Sequence, residues 1–478
     1  MQPSAVLALL IFVLTVTLVV WRPKGVHEMI PAMLGGLATL AVGLTGMSDL
    51  HRILVIVSNA ALTIIATFVM SSVLDHVGFF RWTAMNLARR AGGDGVRLWV
   101  FVLLLSIGMT LFLNNDGSIL IATPIICELT KRLGLDHRRT APFILGSALV
   151  ATASSAPIGV SNPANLEAMA LAGFNLITHT EYMFLPSVLG LCACLVLLWW
   201  RFRRDIPATY SLDSLDEAFP TTPPPPPPHA HFPRLPHPAL PPHLQPPHLQ
   251  PPPPPPPHGP VASPHLIKDI GLMRFTVAVV VAVRVGFFAA SLYHIPTSLV
   301  AVAGALVVVV ASLSRRSIKM GKVLLESPWH ILAFAFGMEL VVFGLRNTGL
   351  IGALGQSVAP LLHQHLWAVV VLPATAVGLL SGVMNNHPAL IAGTLTLISL
   401  ELPFVPLKLA YTGVVLGSDI LSLLTPMGTL ASLLWFHLIH RQGLRFTWGE
   451  YMATSLRVIP LSFAASLVGL YLWALLVR

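Results

Sequence analysis

Apolar residues run along this chain in long blocks, at roughly residues 4–21, 29–46, 52–75, 141–173, 182–202, 271–292, 297–313, 328–345, 408–436 and 454–477. Each is long enough to be a helix through the hydrocarbon of a bilayer, so the pattern predicts ten spans. The first block has no Ala-x-Ala cleavage site and runs into Trp21-Arg22-Pro23-Lys24, which reads as a retained helix and not as a signal peptide. Two further apolar regions, 98–132 and 365–400, are interrupted at their middle by polar clusters, Asn114-Asn115-Asp116 and Asn385-Asn386-His387. Polar groups at membrane depth are tolerated where the backbone lines protein or a water-filled cavity, so both regions are expected to be re-entrant hairpins.

Composition agrees with a bilayer environment. Hydrophobic residues make up 55% of the 478 and charged residues 10%, which excludes a soluble globular chain. The net charge of +9 does not point to nucleic acid, because Lys and Arg sit in short loops between the apolar blocks. Counted by loop, 21 lie on one side of the ten-span model and four, Arg52, Arg346, Lys408 and Arg478, on the other. Under the positive-inside rule this places both termini outside the cytoplasm, with the first hairpin entering from the cytoplasm and the second from outside. The cysteines Cys127, Cys192 and Cys194 lie in apolar segments without metal-type spacing, so neither a disulfide framework nor a metal site is expected.

The two halves share landmarks. Asp75-His76-Val77-Gly78 and Arg346-Asn347-Thr348-Gly349 are 271 residues apart, and the same offset relates the two polar tips. At an offset of 269, Ala156-Pro157-Ile158-Gly159 meets Thr425-Pro426-Met427-Gly428, each within a long apolar segment. A Pro-x-Gly there breaks a helix, since proline removes a donor and glycine relaxes the backbone. An odd number of crossings per half inverts the second half relative to the first. The expected fold is therefore an all-α polytopic membrane protein of two inverted repeats. Each repeat has five transmembrane helices, a re-entrant helical hairpin and a broken helix. The first repeat covers 1–203, with its hairpin near 98–132 and its break near 154–165; the second covers 271–478, with its hairpin near 365–400 and its break near 419–430. Between them, 204–270 form a cytoplasmic linker. Residues 220–260 hold 22 prolines and six histidines, His229, His231, His237, His243, His248 and His258. Such a tract is an extended spacer, with metal or partner binding through its histidines as the alternative.

The chain resembles ArsB-type arsenite and antimonite efflux permeases, within a superfamily of ion transporters that includes dicarboxylate and citrate carriers. The resemblance runs over nearly the whole chain outside the Pro/His tract. It is carried by Trp21-Arg22-Pro23-Lys24-Gly25, Leu74-Asp75 with Gly78-Phe79-Phe80, Asn115-Asp116-Gly117 with Thr123-Pro124-Ile125, and Val160-Ser161-Asn162. Arg204-Asp205-Ile206-Pro207, Gly344-Leu345-Arg346-Asn347, Met384-Asn385-Asn386, Gly417, Asp419, and Thr425-Pro426 with Gly428, Leu430 and Ala431 match similarly. It implies a secondary transporter in the cell (inner) membrane that expels trivalent arsenic or antimony in exchange for protons. Some relatives are recruited by a cytoplasmic, arsenite-stimulated ATPase subunit. The chain departs from the pattern at Thr152-Ala153-Ser154-Ser155, which lacks a carboxylate, at Leu421-Ser422-Leu423, and at His387.

Trivalent arsenic at neutral pH is mainly an uncharged tris-hydroxide, so a site for it needs donors and acceptors for hydroxyls. The expected substrate-binding residues are Asn114, Asn115, Asn385 and Asn386 at the tips, with Ser161, Asn162, Asn165, Thr425, Gly428 and Thr429 at the breaks. Asp116 and Asp419 are the expected proton carriers, and His387 can share or replace that role. Each of these polar groups has an alternative use as a cap or post holding its turn. Glu128, Glu167, Glu339, Arg284 and Arg457 are expected at span ends, snorkelling or paired, with a place for Glu167 at the border of the pathway as the alternative. No cofactor is expected. The rival readings are a carrier for a dicarboxylate, another anion or silicic acid, a channel, and a membrane-embedded enzyme; the last lacks a nucleophile with an adjacent base.

Overall fold

A computed structural model describes residues 3–21, 26–211, 267–315, 318, 320, 321, 323, 327 and 329–477. Arg22–Gly25, the Pro/His tract with its six histidines, and Arg316, Lys319, Lys322 and Arg478 lie outside the described residues.

The first half is helical in the order α1 (Pro3–Trp21), α2 (Met29–Ala41), α3 (Met47–His76), α4 (Phe79–Arg90), α5 (Gly95–Phe112), α6 (Asn115–Arg132), α7 (His137–Ala153), α8 (Pro163–Ala172) and α9 (Leu176–Phe202). The second half runs α10 (Ile270–Leu292), α11 (Thr297–Ser314), α12 (Trp329–Asn347), α13 (Leu350–Gln364), α14 (Leu366–Met384), α15 (Asn386–Ser399), α16 (Phe404–Asp419), α17 (Leu430–Arg441) and α18 (Trp448–Leu476). Among the described residues the only β-type pairing is an isolated bridge between Asp94 and Thr209. Among the described residues ten helices, α16 being counted with the 3-10 stretch that extends it to Leu424, are long and apolar enough to cross a membrane, and the protein is a multi-pass membrane protein.

Those ten helices are not the ten apolar blocks. Two limbs of the interrupted regions, α5 and α14, qualify, whereas block 29–46 contains only the 13-residue α2. Thirteen residues rise about 20 Å, short of the hydrocarbon thickness. The helix stops because the chain turns at Gly43, with φ 73°, before α3 starts. Block 141–173 is likewise two helices, α7 and α8, separated by turn residues and a short 3-10 stretch at Gly159–Ser161.

α4 and α13 occupy segments that the hydrophobic blocks left as connections. Each follows a glycine in the left-handed region, Gly78 at φ 90° and Gly349 at φ 79°, a conformation other residues adopt reluctantly. In α4 the buried residues Phe80, Ala84, Met85 and Ala88 fall on one face, and Arg89 and Arg90 lie off it.

Close helix packing rests on small residues, as expected where apolar surface alone gives helices no preference for one another over lipid. α2 and α12 run parallel. A Cβ on Gly36 would lie 2.8 Å from the carbonyl oxygen of Gly337, and one on Gly337 would lie 2.5 Å from the carbonyl carbon of Ala32. α9 and α18 run antiparallel, with Gly190 against Ser462 and Ser466, and Gly469 against Pro186 and Leu189. Loops accordingly gather at two ends of the bundle. At one end Lys131 donates to the Gln442 carbonyl, His137 Nε2 lies 2.7 Å from Glu450, and Arg138 Nε donates to Asp205 at 2.6 Å. At the other, Asn347 Nδ2 donates to the Leu44 carbonyl at 2.9 Å and to Asp49 at 2.8 Å.

Candidate functional site

α5 and α6 meet at Leu113 and Asn114, and α14 and α15 meet at Asn385, so each polar cluster forms a tip at the N-terminus of the second limb. The reason is local. Asn114 Oδ1 accepts from the Gly117 amide at 2.6 Å and Asn115 Oδ1 from the Asp116 amide at 2.8 Å. Asn385 Oδ1 accepts from the His387 amide at 3.3 Å. The bonds to Asn114 and Asn385 are helix N-caps, which satisfy amides that no helical carbonyl reaches. Asn385 also adopts φ 81° and ψ 149°, a region nearly confined to glycine, and its Nδ2 donates to the Met427 carbonyl at 3.4 Å. The second tip is thus a strained turn tied to the second break.

The first break puts Asn162 at the N-cap of α8, where its Oδ1 accepts from the Ala164 amide at 3.1 Å. The second break ends with Thr429 capping α17: its Oγ1 accepts from the Ser432 amide at 3.0 Å. Thr425 Oγ1 donates to the Gly382 carbonyl at 2.5 Å, tying this break to α14. Gly428 is required by space, since a Cβ there would lie 1.9 Å from the Ser422 carbonyl oxygen.

All four elements converge. Asn115, Asp116, Asn162, Pro163, Ala164, Ile331, Asn386, His387, Thr429, Leu430 and Ala431 line one cleft of about 20 Å³, room for about one water. No Lys or Arg lines it. Two helix N-termini from the tips and two from the breaks therefore face the same small space, with their amide ends toward it.

Asp419, fully buried at the end of α16, holds the breaks together. Asn162 Nδ2 donates to its Oδ1 at 2.8 Å, Asn165 Nδ2 to its Oδ2 at 2.7 Å, and Ser155 Oγ to Oδ2 at 3.4 Å. Asn162 faces both the cleft and Asp419, while the amide nitrogen of Asn165 is committed to Asp419. The buried hydroxyl of Ser161 has no partner and neither has Asn165 Oδ1. Asn114, Asn385, Asn165, Ser161, Thr425 and Gly428 are not among the cleft-lining residues; in the structure Asn114, Asn385, Thr425 and Gly428 shape the turns.

Three ionisable residues expected at span ends are elsewhere. Glu167, Glu339 and Arg284 sit well inside α8, α12 and α10, and all are buried. Arg284 Nε donates to the Phe112 carbonyl at 2.7 Å, and its guanidinium also donates to the Leu113 carbonyl, so it caps the C-terminus of α5 behind the first tip. Glu128 pairs with Arg132. His179, which the hydrophobic pattern gave no reason to single out, bridges the first break and α16: Nε2 lies 3.0 Å from the Ala156 carbonyl and Nδ1 lies 3.1 Å from Tyr411 Oη. Cys127 and Cys194 are buried on α6 and α9, and Cys192 is exposed. Among the described residues one group has ligand atoms close enough for a metal, His27, Glu28 and His330, all within 4.8 Å, at the starts of α2 and α12.

A family model described as citrate transporter matches residues 16–413. A relative from Bacillus subtilis (strain 168), provisionally named an arsenical pump membrane protein, is 37% identical over 465 residues, 97% of this chain and 99% of its own length. Arsenical pump membrane proteins from Escherichia coli and Yersinia enterocolitica are 31% and 32% identical, each over 95% of both chains. The chain belongs to the citrate transporter family and to the arsenical pump membrane proteins. Membership makes it a membrane transporter, and the cleft that joins both hairpin tips to both helix breaks is its candidate transport site.

Proposed function

We propose that this family member exports trivalent arsenic and antimony across the cytoplasmic membrane in exchange for protons. The observation that carries the reading is the cleft itself: amides and a hydroxyl from both halves, Asn115, Asn162, Asn386 and Thr429, converge with Asp116 and His387 and without a Lys or Arg side chain. An uncharged tris-hydroxide needs such donors and acceptors, whereas a di- or tricarboxylate gains from fixed positive charge. The relatives' name, arsenical pump, supports the same choice over citrate.

Inverted repeats give the cycle. The parallel α2 and α12 and the antiparallel α9 and α18 fit the alternation of sides predicted from the Lys and Arg count, with the end that bears Lys131, Arg138 and Gln442 in the cytoplasm. With room for about one water, the cleft admits substrate when the tips and breaks separate from one another, and opening to each side in turn moves it across. Asp116, at the cleft, is the proton acceptor that leaves the substrate amides free; Asp419 keeps the breaks aligned and His387 shares the proton.

Everted membrane vesicles test the reading. On imposing a pH gradient, acid inside, vesicles carrying the parent protein should accumulate arsenite and antimonite, with an excess of citrate leaving uptake unchanged. Asp116→Asn should lower gradient-driven accumulation on the order of tenfold or more. Citrate accumulation in place of arsenite would assign the cleft to a carboxylate, and normal coupling in Asp116→Asn would remove that residue from the proton route.

A further inference from the structure

Glu167, Glu339 and His387 come from three different parts of the fold and meet in its interior. Glu167 is the one ionisable residue of α8, His387 the one ionisable residue of α15, and Glu339 lies at the middle of α12. Their exposures are 1%, 4% and 0%. His387 Nε2 and Glu167 Oε2 are 2.9 Å apart, yet not aligned for a full hydrogen bond. Both carboxyl oxygens of Glu339 lack a hydrogen-bond donor, and the charged group it interacts with is the Glu167 carboxyl.

No arrangement of this kind stays fully ionised away from water. Two carboxylates in contact repel, and a carboxylate without a donor lacks anything that replaces its hydration. With two protons among the three groups the cluster carries no net charge. Loss of one proton leaves a single buried negative charge. Of the helices packed on α15, α14 carries no ionisable side chain, and α16 carries Lys408 near its start and Asp419 at its end, the latter bonded to Asn162 and Asn165. α1 and α2, packed on α12, carry no ionisable side chain; those of α3 lie at its ends, Asp49, His51, Arg52, Asp75 and His76; that of α13 is His363, near its C-terminus. Asp116 faces His387 from the first tip.

We infer that Glu339, Glu167 and His387 form a buried proton relay in which His387 is the end that meets the cleft and Glu339 the sequestered store. The inference rests on the proton-exchange reading above and extends it to residues outside the cleft. His387 lines the cleft beside Asn386, while neither glutamate does. The relay joins a broken helix of the first half, a hairpin limb of the second and α12, so relative movement of these elements makes or parts its contacts. A proton taken up in one arrangement is thus released in the other, as exchange demands.

Two measurements on the purified full chain test this. In reconstituted parent protein, infrared difference spectra between acid and alkaline pH should contain a protonated-carboxyl band that Glu339→Gln removes; an unchanged band in that variant overturns the relay. In proteoliposomes, Glu339→Gln should keep arsenite counterflow without a gradient within about twofold of the parent and lose gradient-driven accumulation on the order of tenfold. Glu339→Asp should restore part of the accumulation. Counterflow lost with accumulation in Glu339→Gln, with no recovery in Glu339→Asp, would make Glu339 a packing residue and overturn the relay. If the parent shows the band but no gradient-driven arsenite accumulation, the exporter reading fails while the buried proton store stands.

Discussion

Replacing Asp419 by Asn is expected to lower arsenite transport on the order of a hundredfold, in a protein that still inserts. Asp419 is an acceptor matched to three donors, Asn162, Asn165 and Ser155, all on the first break. An amide keeps one acceptor oxygen and turns an NH2 group toward one of the two asparagine nitrogens. Donor then faces donor at full burial, and each unsatisfied group costs about 1–3 kcal/mol. The cheapest relief is for the two breaks to separate. That displaces Asn162, which lines the cleft, and α8, which carries Glu167. Initial rates of arsenite efflux, normalised to inserted protein, check this; a variant within about twofold of the parent would show that the contact between the breaks does not govern transport.

The second large effect is steric. A methyl group on Gly417 would lie 2.1 Å from the Ala374 carbonyl oxygen and 2.9 Å from the Gly378 nitrogen, both backbone atoms of α14. No side-chain rotation relieves such an overlap, so Gly417→Ala must shift α16 away from the hairpin limb. Overpacking of this kind typically costs about 1–3 kcal/mol. Because Asp419 is two residues further along α16, the shift reaches the site directly. Gly417→Ala should therefore melt at a lower temperature in detergent and transport poorly. Gly352→Ala, where a Cβ meets nothing within 4 Å, should do neither. Equal melting and transport for the two variants would refute the close approach of α16 to α14.

Much of this architecture is written in the chain as interruptions. A polar cluster inside an apolar region, or a proline and glycine inside a long block, contradicts its surroundings, and such contradictions mark the tips and breaks without any knowledge of packing. The presence of α4 and α13 is fainter. Its signals are a glycine and a short amphipathic face, easily read as a connection because the buried residues Phe80, Ala84, Met85 and Ala88 are interleaved with basic ones. The bonds to Asp419 cross 254 and 257 residues, and nothing local to Asn165 or Asn162 identifies an acceptor so distant. Glu167 and Glu339 show the same limit: a single acid in an apolar helix reads as a residue reaching for water until packing brings a second acid and a histidine against it. Side-chain type and spacing thus indicate where the backbone is opened, while tertiary packing decides which polar groups bind substrate and which bind one another.

Exchange has a reciprocal consequence: if a proton gradient moves the metalloid, a metalloid gradient must move protons. Proteoliposomes containing the purified chain and an internal pH indicator measure this directly. An inward arsenite gradient, with no initial pH difference, should alkalinise the lumen as protons leave in exchange, and Asp116→Asn should abolish the signal. Arsenite entry into parent proteoliposomes without any change in internal pH would contradict the central claim that this transporter exchanges metalloid for protons.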